Sequence, residues 1–152
     1  MPIFDKKAKR NLSTHPKFYF FDVGVFQSIR PRGPLDEALS GPALETLVVQ
    51  HLRAWIDYSQ KEGKIYFWRT KAGLEIDLIL YGELGFYALE VKNSSTISLE
   101  DLRGLHEFKK HYPECTCILL YGGKVKIINR GILCFPVEDF LLALVPNQDI
   151  PL

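Results

Sequence analysis

The sequence has little of what marks several large classes of protein. Its 152 residues include three cysteines, Cys115, Cys117 and Cys134. An odd number cannot all pair within one chain, so reduced thiols in a cytoplasmic protein are expected, not a secreted disulfide framework. No apolar run approaches the ~20 residues that cross a bilayer, and the tract from Phe140 to Pro146 is far too short. The basic start, Met1 to Arg10, leads into no apolar stretch, so a signal peptide is not expected. Charge of either sign is not in excess: 19 basic against 18 acidic residues leave +1. A balance this close carries no bulk signal for nucleic acid or for a membrane. Any charged partner has to be argued from where individual charges sit. There is no Gly-x-x-x-x-Gly-Lys-Ser/Thr loop, hence no P-loop ATP site, and no Gly-x-Ser-x-Gly serine-hydrolase elbow. Repeats and low-complexity segments are also missing. What is present is an ordinary globular mixture, 47% apolar and 24% charged. A compact chain of this length buries roughly 68–70% of its unfolded surface, enough for one core without staples.

Periodicity and punctuation order the chain. Lys17–Phe21 reads as a short aromatic strand, and Asp22 as the cap of a short helix through Ile29. Pro31, Gly33 and Pro34 mark a loop. From Pro42 to about Tyr58 the pattern is helical, with Pro42 suited to the first turn. Strands are predicted at Lys64–Thr70, Leu74–Tyr81 and Phe86–Lys92. The turns Lys71–Gly73 and Gly82–Gly85 make them an antiparallel meander. Ser98 caps a helix to about His111, with Asp101 at its third position and Pro113 beyond its end. Strands return at Cys115–Tyr121, Lys124–Ile128 and Ile132–Phe135, with Gly122-Gly123 as the expected hairpin turn. A helix over Val137–Leu144 closes the order. Residues 1–16 read as an arm, 17–145 as one domain, and 146–152 as a loose tail.

Ionisable groups fall where apolar ones are expected. Strand alternation puts Leu74, Ile76, Leu78 and Leu80 on one face, and Glu75, Asp77, Ile79 and Tyr81 on the other. In the next strand Tyr87, Leu89 and Val91 share a face opposite Phe86, Ala88, Glu90 and Lys92. If the strands are neighbours, Asp77 and Glu90 converge with Lys92 beside them. Two adjacent carboxylates repel, and a divalent cation between them relieves this; Mg²⁺ favours such oxygen ligands. In the helix, at about 100° per residue, Glu45 falls between Leu52 and Ile56 on the apolar arc. A carboxylate there is costly without a partner. His51 and Tyr58 fall on the same arc, with Thr46, Gln50, Arg53 and Asp57 on the solvent side. A plainer reading pairs Glu45 with Arg69 or Lys92 and leaves Glu90 and Lys92 as a solvated pair.

Asp77, Glu90-Val91-Lys92 and the preceding Glu45 resemble the motif of the PD-(D/E)XK nuclease superfamily, although Ile76 stands where the name has proline. The wider text is Lys17-Phe-Tyr-Phe-Phe-Asp-Val-Gly24, Gly41-Pro-Ala-Leu-Glu45, Phe67-Trp-Arg-Thr70, Glu75-Ile-Asp77 and Glu90-Val-Lys92. It resembles the domain of unknown function found C-terminal to bacterial and archaeal AAA+-type ATPases. The resemblance implies an α/β fold with a restriction-endonuclease-like αβββαβ core, a central mixed sheet flanked by helices. It implies Mg²⁺ or Mn²⁺ held by Asp77, Glu90 and the Val91 carbonyl, and metal-assisted phosphodiester hydrolysis. Lys92 would orient or activate water and counter phosphate charge, and Glu45 would bind a second ion or orient water. Arg69 would contact phosphate or fix a carboxylate, and Glu75 would tune Asp77. DNA or RNA, and an ATPase domain or protein, are the implied partners. The alternative is a non-catalytic binding module on the same fold.

Weaker signals remain. Lys64, Tyr66, Trp68 and Lys71 interleave cations with aromatics, as nucleic-acid contacts do and as an ordinary solvated rim also does. The cysteines lack the four-ligand spacing of a zinc site, and the four histidines form no spaced pair.

Overall fold

The structure, a computed structural model, describes residues 1–5, 16–22, 24–25, 41–150 and 152. The predicted loop at Pro31–Pro34 and most of the helix after Asp22 lie outside these residues. Asp22 does accept a bond from the Val25 N–H at 2.8 Å, as a cap should.

The first described helix, α1, runs Gly41–Ser59 and buries Leu44, Val48, Val49, Leu52, Trp55 and Ile56. Their spacing is the core-facing stripe of a helix. The solvent-side assignment of Thr46 fails. It is 3% exposed, and its hydroxyl is satisfied within the helix by donating to the Pro42 carbonyl at 2.8 Å. Tyr58 and His51 are exposed because they lie toward the Leu47 edge of the arc, while the opposite edge, at Val49, is fully buried.

The meander forms as expected: β1 (Gly63–Arg69), β2 (Glu75–Gly82) and β3 (Gly85–Lys92) pair antiparallel. Gly82 and Gly85 face each other across a two-residue loop, and Gly85 takes φ +116°. Helix α2 (Leu99–His111) opens with the predicted box: the Asp101 N–H donates to Ser98 Oγ, and the Ser98 N–H donates to Asp101 Oδ2 at 2.7 Å. It returns the chain to β4 (Thr116–Tyr121), parallel to β3. Parallel neighbours need such a crossover. The chain closes with β5 (Ile127–Asn129), β6 (Ile132–Pro136) and the short helix α3 (Val137–Leu142).

The sheet is mixed and six-stranded, in the order β1-β2-β3-β4-β6-β5. This overturns Gly122-Gly123 as a hairpin turn, because β6 lies between β4 and β5. The tight hairpin joins β5 to β6 through Arg130 and Gly131, at φ 50° and 79°. Such paired positive angles match the twist of the flanking strands. Gly122 is small for another reason: a Cβ there would sit 2.8 Å from the Asn93 carbonyl oxygen.

Two clusters cover the sheet. On one face α1 and α3 pack Val48, Leu52 and Phe140 against Leu78, Leu80 and Leu89. On the other, α2 packs Leu102, Leu105 and Phe108 against Ile76, Ile79 and Leu119. Gly104 lets α2 descend onto β2, because a Cβ there would lie 2.6 Å from the Glu75 carbonyl oxygen. Gly104→Ala gains ~1 kcal/mol in helix propensity but forces the helix off a rigid backbone group, at a cost of about 1–3 kcal/mol. A net fall in the urea midpoint is expected, and an unchanged or higher midpoint would refute this tight approach.

Both ends are anchored. Ile3 bridges Phe67 on the β1 edge, and Phe4 is 5% exposed within a cluster of rings. The tail is not loose: Trp55 Nε1 donates to the Val145 carbonyl at 2.9 Å, and Ile150 is 3% exposed in the α1 cluster. Lys17–Phe21 joins no ladder; the Lys17 N–H donates to the Met1 carbonyl at 3.1 Å instead. Among the described residues, no helix is long and apolar enough to cross a membrane.

Candidate functional site

The site begins with a break in strand register. Tyr66 faces Ile79 and Trp68 faces Ile76, so Asp77 and Leu78 together oppose the single residue Phe67. This is a β-bulge, which re-aims side chains. It overturns the simple alternation along β2: Ile76 joins the α2 cluster while Leu78 and Leu80 join the α1 cluster. Regular β2–β3 pairing also stops here, at Leu78 opposite Leu89.

Side chains take over the backbone bonds that the ladder leaves. The Val91 N–H donates to Asp77 Oδ2 at 3.0 Å, and the Asp77 N–H points to Glu90 Oε2 at 3.4 Å. Each strand is thereby tied to a carboxylate of the other. Lys92 Nζ pairs with Glu90 Oε1 at 2.8 Å. The structure thus brings Asp77, Glu90 and Lys92 together on rigid strands.

The second half of the site gathers around Lys17. Its ammonium bonds Glu75, and lies 3.3 Å from Asp77 Oδ1 and 3.4 Å from Glu45 Oε1. Tyr19 donates its hydroxyl to Glu45. Arg69 Nε stands 3.6 Å from the other oxygen of Glu75, so it fixes a carboxylate while its side chain stays 59% exposed. Glu45 is turned inward as its place on the helix predicts, but its partners are Lys17 and Tyr19, not Arg69 or Lys92. Spacing and periodicity do not single out Lys17 or Tyr19. The only local signal was two polar-tipped side chains, two positions apart, in an aromatic segment.

Burial sets the electrostatics. Glu90 is pushed up to about 7, first by burial and then by the Asp77 charge, against the pull of Lys92. Glu45 is raised by burial and by Asp77, opposed by Tyr19 and Lys17. Burial pulls the Lys17 and Lys92 ammoniums down, yet each ends raised. The Glu75 bond and the surrounding carboxylates outweigh burial at Lys17, and Glu90 does so at Lys92. Both therefore stay protonated at neutral pH. The Tyr19 phenol is raised by burial and by its bond to Glu45.

The family profile of a domain of unknown function, DUF4143, matches residues 40–140. The chain belongs to this family. No curated protein and no solved structure matches the chain. The match spans the DUF4143 helix that carries Glu45 and the three strands that carry Glu75, Asp77, Glu90 and Lys92, and it continues through α2 and strands β4 to β6.

The expected nucleic-acid set is divided by the DUF4143 fold. Lys64 and Lys71 are exposed. Trp68 is 8% exposed and set edge-on to Phe108 at 5.2 Å, and Tyr66 packs on Phe4. The Trp68 ring is thus closed to base stacking, and Tyr66 is half-buried. The three cysteines are buried and free. Among the described residues, no group of three or more Asp, Glu, His or Cys side chains is arranged to hold a metal ion. The ammonium of Lys17 stands between Glu45, Glu75 and Asp77. The Asp77–Glu90 pair has the right chemistry for a hard cation, because Mg²⁺ is commonly bound through one or two carboxylates and retains several waters.

Proposed function

We propose that this domain hydrolyses phosphodiester bonds of DNA or RNA with Mg²⁺ or Mn²⁺, on a restriction-endonuclease-like core. The observation that carries the reading is the exchange at the end of the β2–β3 ladder, where Asp77 and Glu90 are each tied to the other's strand and Lys92 stands 2.8 Å from Glu90. The order helix, three strands, helix, strand and the resemblance to PD-(D/E)XK nucleases support it. Asp77, Glu90 and the Val91 carbonyl are the ligands. A bound divalent ion would supply Lewis acidity at the phosphate and a more acidic water. Lys92, held protonated, acts as a fixed cation that orients water and offsets phosphate charge instead of as a base. Glu45 orients water, and Arg69 braces Glu75 at the rim. An ATPase domain or protein is the proposed partner that delivers substrate, since the chain carries little net positive charge of its own.

One observation favours a second reading, a non-catalytic binding module: Lys17 already closes three of the carboxylates. A cleavage assay separates the two. With Mn²⁺ and single-stranded, double-stranded or branched DNA, or RNA, wild type should cut at least one substrate. Lys92→Ala should cut about 10²–10³ times more slowly, the usual cost of one charge-stabilising group. Binding without cleavage on every substrate would leave the module reading in place.

A further inference from the structure

Lys17 reaches the carboxylates from a segment that pairs with no strand. Four carboxylates, Glu45, Glu75, Asp77 and Glu90, meet three cationic side chains, Lys17, Lys92 and Arg69. Lys92 attends Glu90, and Arg69 touches only the outer oxygen of Glu75. Among the described residues, Lys17 is the cation common to Glu45, Glu75 and Asp77. Its seat is built. The Lys17 backbone N–H is held by the Met1 carbonyl, and the Met1 ammonium donates to the Lys17 carbonyl at 2.7 Å. Gln50 of α1 donates to the Phe20 carbonyl. Tyr19 packs against the α1 cluster and bonds Glu45. The Lys17 ammonium also lies 5.8 Å from the centre of the Phe67 ring, at cation–π range.

We propose that Lys17 is the resident cation on the Glu45–Glu75–Asp77 side of the site, so that the domain takes one divalent ion, between Asp77 and Glu90, and not two. This inference rests on the metal-dependent reading above and adds to it a residue that sets how many ions load. Among the described residues, with Lys17 seated, the four carboxylates exceed the three neighbouring cations by one, which one divalent ion more than offsets. A second ion would have to displace an ammonium that carries ion pairs to three carboxylates. The reach of an ammonium on a four-carbon stem suits it to stand in for a point charge. Lys17 is thus a positioning residue: it holds Glu45 and Asp77 in place without touching the reacting atoms.

The test counts bound Mn²⁺ by the electron paramagnetic resonance of the free ion. Wild type and Lys17→Arg should bind one ion each. Lys17→Met, which keeps the stem and drops the charge, should bind two. Two ions on wild type, or one on folded Lys17→Met, would overturn the role of Lys17 while leaving the metal reading intact. No ion on any of them would overturn the metal reading together with it. A second measurement needs no variant. Lys17 is 25% exposed in its side chain and Lys110 72%, so an amine-reactive reagent should label Lys17 at least tenfold more slowly. Saturating Mn²⁺ should leave that ratio within about twofold. A tenfold rise in Lys17 labelling would mean that the ion evicts the ammonium, and would sink the proposal.

Discussion

Metal-free protein should lose stability as the pH rises from about 4.5 to about 7, and millimolar Mg²⁺ should restore most of the loss. Glu90 drives the effect, because burial and the Asp77 charge push it up to about 7 from an ordinary 4.5. A carboxyl raised in the folded state holds its proton there more tightly than in the unfolded chain. Between the two values the folded state binds more protons, so stability is full below about pH 4.5 and falls until about pH 7. A shift of this size corresponds to on the order of 3 kcal/mol, or roughly 5–10 °C in melting temperature for a chain of this length. Glu45 is raised in the same direction and adds to the slope. The raised lysines titrate far above this window and contribute nothing within it. Glu90→Gln should flatten most of the profile. Melting curves taken at several pH values decide the matter; a wild-type melting temperature that climbs steadily from pH 5 to 8 would contradict the buried, repelled state of Glu90.

Replacing Asp77 with alanine should have the larger effect on function. Its Oδ2 accepts from the Val91 N–H and its Oδ1 faces Lys17, so it couples both halves of the site. Asp77→Ala should lower Mn²⁺-dependent cleavage at least a hundredfold, on the scale of removing one transition-state partner. It should also abolish the rise in melting temperature that metal gives wild type, about 2.7 kcal/mol at a hundred times Kd. The effect on stability without metal is smaller, because two terms oppose. The Val91 N–H loses its acceptor, which costs about 1–3 kcal/mol when the group is buried, while Glu90 and Glu45 lose a repelling neighbour. Hydrogen exchange reads the first term directly: the Val91 amide should exchange faster in the variant. A metal-dependent melting shift that survives Asp77→Ala would remove this residue from the ligand set.

The elements around the site were legible because their signals are local. The cap pair Ser98 and Asp101 and the glycines at 82 and 85 each operate over three residues of chain, and the stripe from Leu44 to Ile56 repeats within a single helix. The inward place of Glu45 is equally local, since helix rotation alone dictates it. Trp68 misleads for the same reason: in sequence it lies among Lys64, Arg69 and Lys71, but its neighbours in space are Phe108 and His111. The same holds for Gly122-Gly123, which looks like a hairpin turn until β6 is found between β4 and β5.

By itself, then, the sequence determined the helix–meander–helix–strand order and marked Glu45, Asp77, Glu90 and Lys92 as candidate site residues. Tertiary structure decided the rest. The extra residue at Asp77 and Leu78 is set by how β2 pairs with β1, and it turns Ile76 and Leu78 to opposite faces. Lys17 meets Asp77 across sixty positions of chain. Periodicity records which side of its own element a residue faces; register shifts and distant ion pairs depend on which elements become neighbours, and no local pattern carries that information.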